Sequence, residues 1–224
     1  MRVLPILFNT DMVRALLGGK KTVTRRAVRY KYSNTEMKVR KDKYGARLVE
    51  IQKDIEGETY GKHPDGRTWR KLLWCMEKEP PYKKGDTLYV RETWSFLPCV
   101  DCTREGTACG RPCVIYEDRD SVSEGCFVYR AGHPDPDRVS WSRSIHMPKA
   151  AARIWIKVTD VRVERLQDID DDGIVAEGLE IGIPFEELWD ATIRKPDRDR
   201  YGWDANPWVW VIEFERCEKP ESEE

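Results

Sequence analysis

Period-two alternation of apolar residues near the C-terminal end of the sequence constrains the fold most strongly. Every second residue is apolar from Ile154 to Val158, and Val161 and Val163 continue the pattern one residue out of phase. Such alternation places apolar side chains on one face of a half-buried strand. The change of phase predicts a β-bulge or bend near residues 159–160, as expected where a strand curls around a barrel.

A second alternating stretch predicts the last strand of the sheet. Trp208, Trp210, Ile212 and Phe214 are spaced by two residues and would give this strand a bulky inner face. Strands therefore dominate the predicted fold, with short helices beside them.

The N-terminal residues predict a strand, a helix and a cationic turn. Residues 3–8 form a short apolar strand, and Pro5 favours the edge of a sheet because it has no amide hydrogen to donate. Asn9 provides an N-cap for a helix that Gly18 and Gly19 end.

Four cations and two hydroxyls lie at and just beyond the end of this helix, in the stretch Gly18-Gly19-Lys20-Lys21-Thr22-Val23-Thr24-Arg25-Arg26. A turn of this composition suits a phosphate, a base carbonyl or an acyl group. The alternative is a basic surface loop, whose lysines complement the dipole of the preceding helix.

Two further short helices are predicted on the C-terminal side. An acidic first turn precedes a helix that runs through Ile174 and is ended by Gly178, and Phe185, Leu188 and Trp189 have the spacing of an amphipathic helix. Residues 194–203 are predicted to be a charged loop.

The composition indicates a globular protein. Charged residues make up 35% of the 224 residues and hydrophobic residues 40%, and no apolar run approaches the roughly 18 residues of a membrane span. The apolar run at residues 3–8 is too short for a signal-peptide core. We therefore expect a cytoplasmic protein without a membrane partner.

Charge is distributed unevenly along the chain. Residues 1–80 hold 19 Lys and Arg against 10 Asp and Glu, whereas residues 151–224 hold 10 against 20. The basic part could meet a polyanion; alternatively, the two parts neutralise each other in the fold. Residues 27–80 also interleave aromatic and basic residues, which is typical of single-stranded nucleic acid binding but equally of a surface excursion.

Four closely spaced cysteines predict a metal site. Their pattern, Cys99-x2-Cys102-x6-Cys109-x3-Cys113, fits a tetrahedral zinc site. Four protein ligands leave no open position, so this zinc would be structural. The alternatives are free thiols or, in an oxidising compartment, disulfides.

These elements predict an α+β fold: a small mixed β-barrel with short flanking helices and a zinc knuckle. A single domain would span residues 1–217, with insertions at about 27–80 and 97–145 and an acidic tail at 218–224. The sequence contains no GxGxxG, no phosphate-binding GKS/T loop and no HExxH motif.

Four motifs resemble the ASCH domain family, in particular its phage and prophage members. They are Lys-Thr-Val-Thr-Arg-Arg, Gly-Asp-x-Leu-x-Val-Arg-Glu-Thr-Trp, Leu-Gln-Asp-Ile followed by Ala-Glu-Gly, and Trp-Val-Trp-Val-Ile-Glu-Phe. The resemblance covers residues 1–26, 82–96 and 141–216. It implies a fold related to the PUA domain, a small barrel associated with RNA.

The resemblance also implies a site. Some small bacterial members are amidohydrolases that deacetylate N4-acetylcytidine with a Lys, a Thr three residues later and a Glu at the end of a later helix. Lys21, Thr24 and Glu177 occupy these positions. The predicted substrate-binding or nucleic-acid-binding residues are Lys20, Arg25, Arg26, Arg91, Glu92 and Trp94. This chain is more than twice as long as those members, which leaves the substrate open.

Three functions are compatible with these patterns. The first is binding of RNA or of a modified nucleobase; the alternatives are hydrolysis of N4-acetylcytidine and ribonuclease activity. Hydrolysis requires that a base take the proton of Thr24, which Lys21 can do only when neutral. Because residues three apart on a strand face opposite sides, Lys21 and Thr24 can share a pocket only if a turn or bulge lies between them.

Overall fold

A computed structural model describes residues 2–32, 35–42, 45–52, 75–99, 114–118 and 121–221. Within these residues the chain is a mixed α+β protein built mostly of strands, as predicted. The strands are β1 (Val3–Leu7), β2 (Val23–Ala27), β3 (Thr35–Asp42), β4 (Gly45–Gln52), β5 (Cys75–Glu77), β6 (Thr87–Arg91), β7 (Trp94–Pro98), β8 (Val114–Asp118), β9 (Ser121–Tyr129), β10 (Trp155–Arg165) and β11 (Trp208–Cys217).

The strands form three sheets. The central sheet has the order β1-β6-β10-β11-β2, and two three-stranded sheets have the orders β3-β4-β5 and β7-β9-β8. Strands β1 and β6 are parallel, and the other neighbours in the central sheet are antiparallel. The two smaller sheets fall largely within the predicted insertions.

The predicted irregularity in β10 is confirmed. The pairing register between β10 and β11 shifts between Val158 and Asp160, where the apolar positions of the sequence change phase. Val158 and Ile156 face the core on one side of this bulge. The bulge lets both parts of β10 contribute to the sheet although their apolar residues are out of phase.

The helices are short: α1 (Thr10–Leu17), α2 (Asp171–Ala176), α3 (Phe185–Thr192) and α4 (Arg198–Tyr201). Asn9 caps α1 by accepting a hydrogen bond from the Met12 amide at 2.8 Å, as predicted. The predicted loop at 194–203 is wrong in part, because it contains a 3-10 helix (Lys195–Asp197) and α4. Lys195 precedes Pro196, a residue favoured at helix starts.

The central sheet has apolar residues packed on both faces. One cluster includes Ile6, Leu88, Ile156 and Ile212 together with Val13 and Leu16 of α1. The other joins Val209 and Val211 of β11 to α3 and α4. Alternate residues of β11 therefore supply both clusters, which explains why this strand is apolar almost throughout.

The predicted barrel is not closed in the part of the chain that is described. Strands β1 and β2 are the two edges of the central sheet and do not pair with each other. Helix α1 connects them and packs Val13 and Leu16 into the core, so helix packing covers the core where a ladder would close a barrel. A side-chain hydrogen bond links the edges, from Arg26 Nη2 to Leu7 O at 2.7 Å.

The predicted zinc knuckle cannot be followed through this structure. Cys99 directly follows β7 and its amide donates to Glu124 O at 2.8 Å, whereas Cys102, Cys109 and Cys113 lie outside the described residues. The described residues contain no group of three or more His, Cys, Asp or Glu placed to hold a metal ion. The zinc site stays a prediction. No helix in the described ranges is both long and apolar enough to cross a membrane.

Candidate functional site

A cavity of about 300 Å³ lies beside the β2 edge of the central sheet, between α1 and α3. Its polar lining includes the three predicted catalytic residues and two of the predicted binding residues: Lys21, Thr24, Arg25, Arg26 and Glu177. Residues that are distant in the sequence thus meet in one concavity. This volume is at the small end of ligand pockets.

Lys21 enters the cavity from the turn after α1. Its amide donates to Ala15 O at 3.2 Å, and its side chain is fully buried. Lys21 Nζ donates to Glu177 Oε2 at 2.5 Å and to Glu177 O at 2.9 Å. Burial lowers the pKa of Lys21, while the charge and hydrogen bond of Glu177 oppose this effect.

Glu177 is the C-cap residue of α2. Its two carboxylate oxygens accept hydrogen bonds from two different basic residues. Oε2 accepts from Lys21, while Oε1 accepts from the Arg25 amide at 2.8 Å and from Arg25 Nη1 at 3.4 Å. The carboxylate is therefore held in one orientation, with both oxygens hydrogen-bonded inside the protein.

Gly178 allows the end of α2 to approach the turn after α1. Its φ is +89°, a conformation that residues with a Cβ rarely adopt. A Cβ at this position would lie 2.6 Å from Ala15 Cβ and 3.0 Å from Lys21 Cβ. Glycine is thus required here both by the backbone angle and by close packing, and it brings Glu177 to Lys21.

Thr24 shares the cavity with Lys21 because the two residues are held by different partners. Thr24 is buried within β2 and pairs with Ile212 of β11. Lys21 precedes β2 and forms an isolated antiparallel bridge with Glu177 instead. Both nevertheless line the cavity, Lys21 from the residue before Thr22 and Thr24 from within β2.

The partner of Arg25 was not predicted. Arg25 Nε and Nη2 donate to Glu164 Oε1 on β10 at 3.1 and 2.9 Å, and this carboxylate holds the guanidinium beside Glu177. The contact spans 139 residues of sequence, and no local motif marks Glu164.

Arg26 places a guanidinium in the cavity without a carboxylate partner. Nη2 donates to Leu7 O, and Cζ lies 5.8 Å from the centre of the Phe8 ring. None of the described carboxylates lies within ion-pair distance of Arg26, and burial lowers its pKa. A half-buried cation without a carboxylate partner is best satisfied by a carbonyl or anionic oxygen of a ligand.

The opposite wall of the cavity is apolar, and the sequence analysis did not predict it. Its larger members come from α1, α3 and the segment between α2 and α3: Met12, Leu179, Phe185, Leu188 and Trp189. Their helical spacing in α3 was recognised as amphipathic, but such spacing does not distinguish a cavity wall from a core face.

The other predicted binding residues do not line this cavity. Lys20 is exposed, with Nζ 3.7 Å from Glu180 Oε1. Glu92 is buried and accepts two 2.9 Å hydrogen bonds from Arg153, and burial raises the pKa of Glu92. Trp94 packs in a separate aromatic cluster with Phe96, Tyr116 and Phe127. Arg91 Nη1 donates to Ile145 O at 3.1 Å.

The fold and cavity define a mixed α+β protein with a buried lysine–carboxylate pair facing a small pocket. No protein-family model, no curated protein and no solved structure matches the chain. The resemblance to the ASCH family therefore stays a prediction.

Proposed function

We propose that this cavity is the active site of an amidohydrolase that removes the acyl group from an N4-acylated cytosine such as that of N4-acetylcytidine. The observation that carries the proposal is that Lys21, Thr24 and Glu177 line one cavity of about 300 Å³. The small volume favours a single base or nucleoside over a bulkier group as the occupant.

The Lys21–Glu177 pair supplies a base without creating a new charge. Transfer of one proton from Lys21 Nζ to Glu177 Oε2, across 2.5 Å, gives a neutral amine and a neutral carboxylic acid. Burial favours the neutral amine, because desolvation penalises the charged form of Lys21 and lowers its pKa. The neutral amine can then accept the hydroxyl proton of Thr24.

The proposed reaction proceeds through a threonine ester. Thr24 Oγ1 bonds to the acyl carbon as Lys21 takes its proton, and the carbonyl oxygen gains negative charge beside the Arg26 guanidinium. The bond from the acyl carbon to the exocyclic nitrogen then breaks, and the protonated pair returns one proton to the leaving amine. Water hydrolyses the ester, releasing the carboxylic acid and restoring Thr24.

The family and the finer fold are part of the same proposal. The five-stranded sheet whose edges are linked through Arg26 and Leu7 supports a PUA-like arrangement of the ASCH type. Binding of RNA by the segment 27–80 stays a prediction, since residues 33–34, 43–44 and 53–74 of that segment lie outside the described residues.

The test compares two substitutions of Thr24 that differ in the hydroxyl. With N4-acetylcytidine as substrate and cytidine release followed by chromatography, Thr24→Val should lower kcat at least about 100-fold, whereas Thr24→Ser should keep measurable turnover. The melting temperatures of both variants are measured alongside, because Thr24 is buried.

Two outcomes would contradict the proposal. One is the absence of cytidine release by the wild-type protein. The other is a folded Thr24→Val variant that hydrolyses the substrate as fast as the wild type.

A further inference from the structure

A second cavity, of about 400 Å³, lies where the β7-β9-β8 sheet meets the segment that leads into β10. It shares no lining residue with the cavity that contains Lys21. Arg153 is the one charged side chain among the lining residues that the structure describes. Aromatic and small residues form most of the remaining wall: Phe127, Tyr129, Ala131, Gly132 and Ala150.

The guanidinium of Arg153 is held in place but keeps one nitrogen for a ligand. Nε donates to Glu92 Oε1 at 2.9 Å, and Nη2 donates to Glu92 Oε2 at 2.9 Å and to Ala131 O at 2.8 Å. These bonds use three of its five N–H groups. No described residue accepts a hydrogen bond from Nη1, and 33% of the side chain is exposed. Nη1 is therefore a donor whose position is fixed by the rest of the guanidinium.

Glu92 fixes the guanidinium from inside the protein. Its side chain is 1% exposed, so the carboxylate offsets the charge of Arg153 without reaching into the cavity. An anionic oxygen at Nη1 would form a charge-assisted hydrogen bond. Glu92 would weaken this bond by repulsion, because it places a second negative charge on the same guanidinium.

The aromatic wall beside Arg153 is rigid. The Tyr129 ring lies 4.1 Å from Arg153 Cζ, and its hydroxyl donates to Ala151 O at 2.7 Å. The Phe127 ring packs against Trp94 and Phe96, with centres 5.7 and 5.5 Å apart. Rings held in this way offer packing surface to a further planar ring.

Gly132 leaves room next to these rings. A Cβ at this position would meet nothing within 4 Å. A mostly apolar cavity of several hundred Å³ with a single well-placed polar group is typical of a small-molecule site.

We propose that this second cavity binds a small aromatic monocarboxylate, with its carboxylate on Arg153 Nη1 and its ring against Phe127 and Tyr129. One nitrogen with two hydrogens suits a carboxylate, whereas a phosphate carries more charge and is recognised by several donors. The proposal does not depend on the proposed function, because the two cavities have no residue in common.

The experiment titrates the protein into 4-fluorobenzoate and follows the ¹⁹F NMR line width to obtain the Kd. The wild type should bind. Glu92→Gln should tighten binding about fourfold or more, because it removes a negative charge roughly 5 Å from the ligand carboxylate. The neutral 4-fluorobenzamide should gain nothing from this substitution. A gain in affinity cannot result from a folding defect.

Two further variants test the position of the ligand. Adding Arg153→Met to Glu92→Gln should weaken binding of 4-fluorobenzoate at least about tenfold relative to Glu92→Gln alone, since a hydrogen bond to a charged group is lost. Ala150→Phe should weaken binding to a similar extent, because the larger side chain fills the cavity that Ala150 lines.

The matched control is Glu164→Gln at the first cavity. Like Glu92, Glu164 accepts hydrogen bonds from Nε and Nη2 of an arginine, here Arg25, which lines the first cavity. Glu164→Gln should leave the affinity for 4-fluorobenzoate unchanged.

Three results would overturn the inference. They are no binding of 4-fluorobenzoate by the wild type, no tightening by Glu92→Gln, and equal tightening by Glu164→Gln and Glu92→Gln. A protein that binds 4-fluorobenzoate with the expected pattern but releases no cytidine from N4-acetylcytidine refutes the proposed function and leaves this inference in place.

Discussion

At the scale of single residues, the site depends on a buried charge network that local sequence reveals only in part. Lys21, Thr24 and Glu177 were predicted from their resemblance to a family motif, and they do line one cavity. Glu164 was not predicted, since its contact with Arg25 is formed only when β2 and β10 enter the same sheet. The spacing of residues in the sequence does not predict such long-range contacts.

The Lys21–Glu177 pair should show strong energetic coupling. Removing one partner leaves the other buried and less well compensated, so Lys21→Met should lower the free energy of unfolding by about 3–5 kcal/mol. Lys21→Met combined with Glu177→Gln should cost at least about 1 kcal/mol less than the sum of the two single substitutions.

Urea denaturation of the wild type, both single variants and the double variant gives this coupling directly. Additive effects within experimental error would show that the two side chains do not stabilise each other in the folded protein.

At the scale of elements, the sequence predicted the parts that local chemistry controls. The cap at Asn9, the bulge in β10 and the end of α2 at Gly178 follow from residue type and spacing. Strands β3 and β4 were not predicted individually, because five of the eight residues of β3 are charged and the apolar alternation in both strands is short. The barrel was predicted closed because the sequence does not show that α1 covers the gap between β1 and β2.

Gly178 and Gly182 provide a matched pair for testing how α2 is positioned. Both have positive φ, +89° and +93°. A Cβ at Gly178 would meet Ala15 Cβ at 2.6 Å, whereas a Cβ at Gly182 would meet nothing within 4 Å. Gly182→Ala should therefore cost only the backbone strain of about 1–2 kcal/mol.

Gly178→Ala should cost about 1–3 kcal/mol more than Gly182→Ala, because overpacking adds to the strain. It should also slow any hydrolysis, since the contact between Lys21 and Glu177 would be displaced. The free energies of unfolding of the two variants, measured by chemical denaturation, test this prediction. Equal destabilisation would mean that small movements relieve the close approach at Gly178.

At the scale of the whole molecule, part of the uneven charge distribution is neutralised within the fold. Cations of the basic N-terminal part pair with acids of the C-terminal part, in Lys20–Glu180, Lys21–Glu177, Arg25–Glu164, Arg25–Glu177 and Arg29–Asp197. This favours the interpretation that the two parts neutralise each other.

Acid stability of the molecule should depend on Glu50, which joins the β3-β4-β5 sheet to the chain that enters it. Glu50 is buried and accepts hydrogen bonds from the Lys31 and Tyr32 amides and Thr35 Oγ1, and it pairs with Lys78. Burial alone would raise its pKa, but the hydrogen bonds from Lys78, Thr35 and the two amides outweigh burial and lower the pKa from 4.5 to about 2.

A carboxylate whose pKa is lower in the folded state stabilises the protein above its unfolded pKa. The contribution of Glu50, about 3 kcal/mol, should be complete above about pH 5 and be lost as the pH falls toward 2. Glu50→Gln should remove this part of the pH dependence, whereas Glu36→Gln on the same sheet should keep it. Urea unfolding between pH 2 and pH 7 tests this, and parallel curves for wild type and Glu50→Gln would refute it.

The unpaired edges of the central sheet have a mechanical consequence. Where β1 and β2 would meet in a closed barrel, a single described hydrogen bond, from Arg26 to Leu7, spans the seam. Besides this hydrogen bond, the packing of Val13 and Leu16 of α1 holds the two edges together, and no backbone ladder joins them. The wall beside the cavity therefore lacks the continuous backbone hydrogen bonding that stiffens the other strand junctions of the sheet.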